Sequence, residues 1–474
     1  MKFASLKLQN FRRFDEFHID FDSELTVITA PNGQGKTPVL DAAALSLAPF
    51  VEALSRYNTG GHQFNIDIEP TDPRYAVNRS PISNAVVYEQ VYPATLTASF
   101  LDPVMESQRS FTDNATRPRK EGTDDLRGYG QSLVAELATP TTIPVIRYFR
   151  SNRRWSTDYL QRPKADSELT RSRTAGYNDC LAAETDFRQF QDWFRAATLA
   201  YLQNIQLKVE SNIADLLNGI GKAVDEMVSA EGLSGFHYSF VHEAPALVHP
   251  DHGPLPVAML SDGICSATTM AADLAQRCAR LNPHLGAEAP KLTPGMVLID
   301  EVDLHLHPAW QQRILPGLRV AFPLVQFIVS THSPQVLSTT DSEQIRVIAQ
   351  DGNGRWFTDE PDRQVVGRSS ADALVEVMGV SPTPPTEESR KVDHYINLIE
   401  TGQHQTKEGQ ALRQELENIY GSSNPVMVRV RQQERFRDFK KRSAPRPPAP
   451  NGEWNHAIHS SCSCTDLPLL GPHE

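Results

Sequence analysis

The stretch "TVITAPNGQGKTPVLDA" (residues 26–42) decides how the rest of the chain is read. It runs from a dense apolar strand, through a glycine-bearing loop, into the start of a helix. A phosphate-cradling loop asks for Gly-x-x-x-x-Gly-Lys-[Ser/Thr]. Here Ala30 stands at the first glycine position, and Gly35, Lys36 and Thr37 fill the others. Asn32, Gly33, Gln34 and Gly35 supply a run whose backbone amides can turn inward around phosphate oxygens. Lys36 brings charge to the β- and γ-phosphates, Thr37 offers a hydroxyl to Mg2+, and the helix N-terminus faces the anion. Pro38 falls in the first helical turn, where its missing N–H costs little. An ordinary glycine-rich turn between strand and helix would look similar, so partner motifs have to decide.

The decisive partner is "VLIDEVDLHLHPAWQQ" (297–312), which packs Asp300, Glu301, Asp303, His305 and His307 into eight residues. Such a cluster suits a transition metal or the phosphate side of a nucleotide hydrolase. A hydrolase needs a second strand that ends in a carboxylate beside Mg2+. "MVLI" is followed by Asp300, placed to hold the metal through water, and Glu301, placed to polarise the attacking water. "FIVSTHSP" then offers His332 to the γ-phosphate just past a third strand. Ligands of open α/β sheets lie at the carboxyl ends of strands, and all three elements end there. The metal-cluster reading has a weakness. Residues 301, 303, 305 and 307 share a face only on an extended strand, and this strand is predicted to end at 301 or 302.

Taken in order, "NGQGKT", "LSDG", "LIDEVDLHLHP" and "STHSP" resemble the ABC-type ATPases of the RecF and SMC kind. With the start "LKLQNFRRFDEFHIDF", the chain looks closest to the compact ATPases of bacterial defence systems. The resemblance covers roughly residues 1–50 and 255–345, with weaker support from 143–155. It implies an α/β fold, an ABC-type P-loop ATPase head with a mainly parallel sheet, using ATP and Mg2+. It implies that Ser261, Asp262 and Gly263 form a signature loop touching the γ-phosphate bound by the other subunit. The assembly would be an ATP-bridged dimer or a larger homo-oligomer. Leu-Ser-Asp-Gly replaces the family's Leu-Ser-Gly-Gly, which bears on that contact. His307 falls at the family's D-loop aspartate, so it and His305 are expected near the dimer interface. Some relatives carry a metal nuclease domain behind the ATPase, but no Asp-x-Asp strand end follows His332. The arrangement looks most like the ATPases of Septu and some retron systems, which act with a separate HNH nuclease against phage. The alternative is a RecF-like DNA-repair ATPase that binds DNA directly.

Composition sets the remaining bounds. At 474 residues, two or three folding units are expected. A net charge of −12 excludes a basic nucleic-acid coat, so any nucleic-acid contact needs a local basic stripe. Cys180, Cys265, Cys278, Cys462 and Cys464 are odd in number and show no repeated spacing, which predicts a reducing compartment. No apolar signal region and no apolar run of about 18 residues is seen, so a cytoplasmic protein without a membrane span is expected.

The predicted units are an ATPase lobe over 1–155, a helical insert over 156–235, a second ATPase lobe over 236–350, a small helical extension over 351–442 and a disordered tail over 443–474. Predicted helices cover 36–56, 262–281, about 308–320, 384–401 and 406–420, with two or three more in 178–232. Residues 57–84 and 105–128 read as loops, and 341–357 as a strand pair. Two basic runs could meet nucleic acid. "RYFRSNRRW" joins Arg147, Arg150, Arg153 and Arg154 with Tyr148, Phe149 and Trp155; one Arg serving the ATP site and the rest a solvated face is the other reading. Residues 426–446 reverse the overall sign and read as a docking element that folds in part on binding, or as a solvated tail.

Overall fold

A computed structural model describes residues 1–55, 66–79, 86–113, 122–151, 172–182, 187–381 and 383–443. Arg153, Arg154, Trp155 and the tail from 444 onward lie outside the described residues. The chain divides into two units, Met1–Pro382 and Thr383–Glu474, and each is treated by itself.

The first unit opens with β1 (Lys2–Phe11) and β2 (Phe14–Asp20), an antiparallel pair that alternates inward Leu6, Leu8, Phe17 and Ile19 with outward polar residues. β3 (Leu25–Thr29) is buried at all five positions and feeds α1 (Lys36–Ser55). Two short strands, β4 (Tyr75–Arg79) and β5 (Val86–Gln90), form a separate ribbon. β6 (Ala94–Leu101) and β7 (Met105–Phe111) then complete an antiparallel sheet of order β2-β1-β6-β7. α2 (Asp124–Ala135) packs on α1, and β8 (Val145–Phe149) follows. α1 touches both this sheet and the central one described below, so it is apolar on nearly every side. That also makes it the one described helix long and apolar enough to cross a membrane; 83% of the qualifying window is buried inside the protein.

The loop expected over 105–128 is corrected: it holds β7 and the start of α2. The strand period was hidden because an inward position is an arginine. Arg109 is 2% exposed and donates to the Leu45 carbonyl at 2.6 Å, and it also pairs with Asp67. Leu45 lacks its usual helical donor because Pro49, four residues on, has no N–H. The arginine therefore completes the helix from outside.

α3 (Arg188–Leu207) and α4 (Ile213–Val228) follow, then an antiparallel three-stranded sheet of β9 (Ser234–Ser239), β10 (Ala244–His249) and β11 (Gly253–Pro256). α5 (Asp262–Leu281) matches its predicted limits. After a short α6 (Ala289–Leu292) come β12 (Gly295–Ile299), α7 (Pro308–Gln311), α8 (Ile314–Ala321) and β13 (Val325–Thr331). The single helix expected around 308–320 is thus two, separated at Gln312 and Arg313. β12 stops at Ile299, earlier than predicted, because Glu301 turns into the left-handed region at φ +51°. α9 (Pro334–Leu337), β14 (Ile345–Gln350), β15 (Trp356–Asp359) and α10 (Ser370–Glu376) close the unit.

The central sheet has the order β15-β14-β3-β13-β12-β8, and every pairing is parallel except β14–β15. β3, β13, β12 and β8 are buried at every position, as parallel strands covered on both faces must be. The predicted strand pair at 341–357 is the β14–β15 hairpin, and β14 also joins β3 in parallel.

The second unit contains α11 (Glu387–Thr401), α12 (Lys407–Tyr420) and α13 (Pro425–Ser443) around Tyr395, Leu398, Ile399, Leu416, Met427 and Val430. A Thr386–Ser389 capping box starts α11, and Gly402 at φ +82° ends it. Residues 425–443 are therefore not a segment that waits for a partner to fold. Met427 and Val430 are fully buried, so the helix belongs to a core of its own.

Candidate active site

Three parallel strands, β3, β13 and β12, deliver their carboxyl ends side by side. The loop after β3 bends through Gly33 at φ +73° and Gly35 at φ +101°. A Cβ at Gly35 would lie 2.4 Å from the Phe14 ring, so the loop is pressed against the turn between β1 and β2. Arg13 of that turn lies over the Trp356 ring, 4.4 Å from its centre, and Phe14 meets the same indole edge-on. The loop is thus held from outside by protein neighbours.

Lys36 is 6% exposed and donates to the Ala30 carbonyl at 2.9 Å, spanning the loop it ends. Burial pulls its ammonium down to about 8, although the Asp300, Glu301 and Asp303 carboxylates act the other way. A cation held this weakly is poised for an anion that raises its pKa again. Charged Lys36 favours phosphate, so affinity is lost as pH rises through the free-state pKa. ATP should bind about tenfold more weakly at pH 9 than at pH 7, one unit above that pKa leaving about a tenth of the lysine charged. Titrations at pH 7, 8 and 9 check this, and Lys36→Arg, charged throughout, should show a flat profile. A flat profile in the unmodified protein would contradict it.

Beneath the loop, Thr37 donates to Asp300 Oδ2 at 2.9 Å. Ser330, on β13, donates to Asp300 Oδ1 at 2.6 Å and accepts the Glu301 N–H at 2.8 Å. One hydroxyl thus fixes the carboxylate and the backbone of the next residue. Glu301 keeps the left-handed conformation, a costly state for a glutamate and one that recurs at functional sites. Thr331 donates to Asp303 at 2.5 Å, and His332 follows, half-buried. Burial and the nearby Lys36 ammonium hold the His332 imidazole below the ordinary histidine value, against Asp303 and Asp300.

The acidic and imidazole groups of 300–307 diverge. Asp303 turns to Thr331, and His307 caps α7 by accepting the Ala309 N–H. Among the described residues no three His, Cys, Asp or Glu side chains gather as metal ligands. The site instead has the donors of a phosphate and divalent-cation site: a lysine, a hydroxyl and a carboxylate at strand ends.

Ser261 and Asp262, at the start of α5, are exposed, whereas Gly263 is buried. A Cβ on Gly263 would approach the His305 carbonyl to 3.2 Å, so the signature residues pack beside the turn that follows Glu301. Ser261 and Asp262 are thereby exposed next to a glycine that packs on the backbone of His305 and Leu306.

Sequence reasoning missed a second network. Asp41 of α1 accepts from Tyr148 at 2.9 Å and pairs with Arg12 at 2.5 Å and Arg150 at 3.2 Å. Arg12 also reaches Asp72 at 2.8 Å. The spacing of Asp41 one helical turn after Thr37 was the available signal. The adjacent Arg147 is corrected as a nucleic-acid contact, while Arg153, Arg154 and Trp155 of the same run lie outside the described residues. Arg147 is 1% exposed and pairs with Asp273 of α5 at 2.9 Å, beside Arg277 at 3.0 Å. Alternation along β8 sends Tyr148 to α1 and Arg147 to α5.

The fold and the site define an ABC-type P-loop ATPase. A sequence profile of the family described as "AAA domain, putative AbiEii toxin, Type IV TA system" matches residues 25–338, more than half of the chain, and the chain belongs to that family. It is 26% identical to "Retron Ec83 probable ATPase" of Escherichia coli over 91% of this chain and 86% of that protein. It is 24% identical to "Retron Vc95 probable ATPase" of Vibrio cholerae serotype O1 biovar El Tor, over 87% and 86%. "Septu protein PtuA" of Bacillus thuringiensis is 21% identical over 80% and 84%.

Proposed function

We infer that the chain is the ATP-driven switch of an anti-phage defence complex. The observation that carries the reading is the Thr37–Asp300–Ser330 arrangement beneath a preformed phosphate loop, in a chain similar along most of its length to retron ATPases and a Septu protein. Backbone amides of Asn32, Gly33, Gln34 and Gly35, with Lys36, hold the phosphates. Thr37 and Asp300 hold Mg2+, which when bound offsets phosphate charge as a Lewis acid. Glu301 takes a proton from the attacking water, and His332 orients the γ-phosphate as a neutral donor.

The exposed Ser261 and Asp262 complete the site of a second copy, so ATP bridges two chains. A separate nuclease, of the HNH type, is the effector that this switch controls. The test is protection of a bacterial host carrying this gene with its native neighbours. Lys36→Ala should abolish protection, so that phage plaque as they do on a host without these genes, because the lost cation removes a charge-assisted contact to the phosphates. Undiminished protection by that variant would refute the reading.

A further inference from the structure

α13 sorts its charges by face. Its sequence carries seven arginines and lysines against Glu434 and Asp438, in a chain whose net charge is −12. Glu434 points into the three-helix unit, where it accepts from Tyr395 at 2.6 Å and pairs with Arg413 at 3.1 Å. Asp438 lies half-buried with Thr401, Gly402, Arg437 and Lys440 around a cavity of about 480 Å³. Arg437 is also used internally, donating to the Glu400 carbonyl. Glu434 is therefore turned away from the outer face, while Asp438 sits half-buried at its edge.

That outer face presents Arg429, Gln432, Arg435, Phe436, Phe439 and Lys440, all exposed. They recur at three- and four-residue spacing, which places them along one stripe. Phe436 is 58% exposed and Phe439 66%, and Lys440 sits 4.7 Å from the centre of the Phe436 ring. The two rings are separated by one helical turn, about 5 Å along the axis. A purely solvated helix face does not need two bare phenylalanines, and an apolar docking face does not need an unbalanced row of cations. Cations flanking exposed rings suit a strand whose phosphates and unpaired bases are both accessible.

We propose that the outer face of α13 binds single-stranded nucleic acid, with phosphates held by Arg429, Arg435 and Lys440 and bases stacked on Phe436 and Phe439. This goes beyond the ATPase reading and does not depend on it, since every nucleotide-site residue precedes α11.

The test uses the full chain and a fluorescent 20-nucleotide oligo(dT), read by anisotropy against salt, with a duplex of equal length beside it. Arg429→Gln, Arg435→Gln and Lys440→Gln together should flatten the log–log salt slope by about 2, three lost phosphate contacts on a single strand each contributing roughly 0.7. Phe436→Ala with Phe439→Ala should weaken oligo(dT) binding at least about tenfold, leave the salt slope unchanged and spare the duplex. Helical content and ATP hydrolysis should be unchanged in both variants, which separates a failure here from a failure of the ATPase reading. Oligo(dT) affinity unaffected by either variant would overturn the proposal. So would equal loss of single strand and duplex on removing the rings, or rings needed only for holding a co-expressed protein partner.

Discussion

Replacing Glu301 with Gln is expected to slow ATP hydrolysis by about 10²–10⁴-fold, the range for a lost general base, while leaving ATP bound. The substitution keeps shape and removes only the basic oxygen. The backbone N–H of residue 301 still finds Ser330, and Asp300 keeps both of its hydroxyl partners, Thr37 and Ser330. The phosphate loop, pressed by Phe14 and bridged by Lys36, is untouched. With chemistry stalled, an ATP-bridged pair should accumulate, because Ser261 and Asp262 are exposed for contact with a second copy. Lys36→Ala should not form that pair. Phosphate release and light scattering during size-exclusion chromatography, with and without ATP, decide the matter. The same oligomer size for both variants under both conditions would remove the ATP-bridged dimer from the account.

Asp273→Ala is expected to destabilise the first unit by about 3–5 kcal/mol, the usual result of breaking a buried ion pair from one side. Asp273 is the shared carboxylate for Arg147 and Arg277, and all three are nearly inaccessible. Burial pushes the Asp273 carboxyl up, yet the two guanidinium groups outweigh it and hold the group below its ordinary value. Burial lowers the Arg147 guanidinium to about 10 even with Asp273 beside it, so removing the carboxylate takes away the main group that favours the charged form of this buried arginine. The backbone carbonyls of Gly176, Asn178 and Asp179 still accept hydrogen bonds from the arginines, but carry no compensating charge. Urea unfolding measures the loss. Replacing the three residues together, as Arg147→Met, Asp273→Leu and Arg277→Met, should recover most of the stability. An Asp273→Ala protein within about 1 kcal/mol of the parent would show the pair to be dispensable.

The parts of the site that were legible in sequence are contiguous ones. Residues 30–37, Asp300 with Glu301, and His332 each sit at a strand end whose apolar run precedes them directly. Ser330 and Thr331 stood in the quoted "STHSP" but gained their role only when β13 was laid beside β12. Asp41 with Tyr148, and Arg147 with Asp273, join residues over 100 positions apart; the spacing of Asp41 after Thr37 hints at one member, but nothing local announces its partner or the second pair. Arg147 reads as a surface cation because its neighbours in sequence are basic, whereas strand alternation sends it inward. The helix of 425–443 was obscured for another reason: Val426, Val428 and Val430 alternate like a strand, while Met427 and Val430 are the buried pair. The ribbon β4–β5 and the hairpin β14–β15 show the same limit, since only the hairpin finds a parallel neighbour.

The meeting of Pro49 and Arg109 has a consequence for how this chain can vary. A proline in α1 leaves a carbonyl without its donor, and an arginine four strands later in sequence supplies one. The two positions are then not independent. Restoring an N–H with Pro49→Ala makes the arginine's bond to Leu45 redundant, while Arg109→Leu in the proline background strands a buried carbonyl, a loss of about 1–3 kcal/mol. The double variant should cost less than the single arginine loss, and the difference is their coupling energy. Among descendants of this chain, the Leu45 bond ceases to constrain position 109 only after position 49 has changed, and the pair with Asp67 remains.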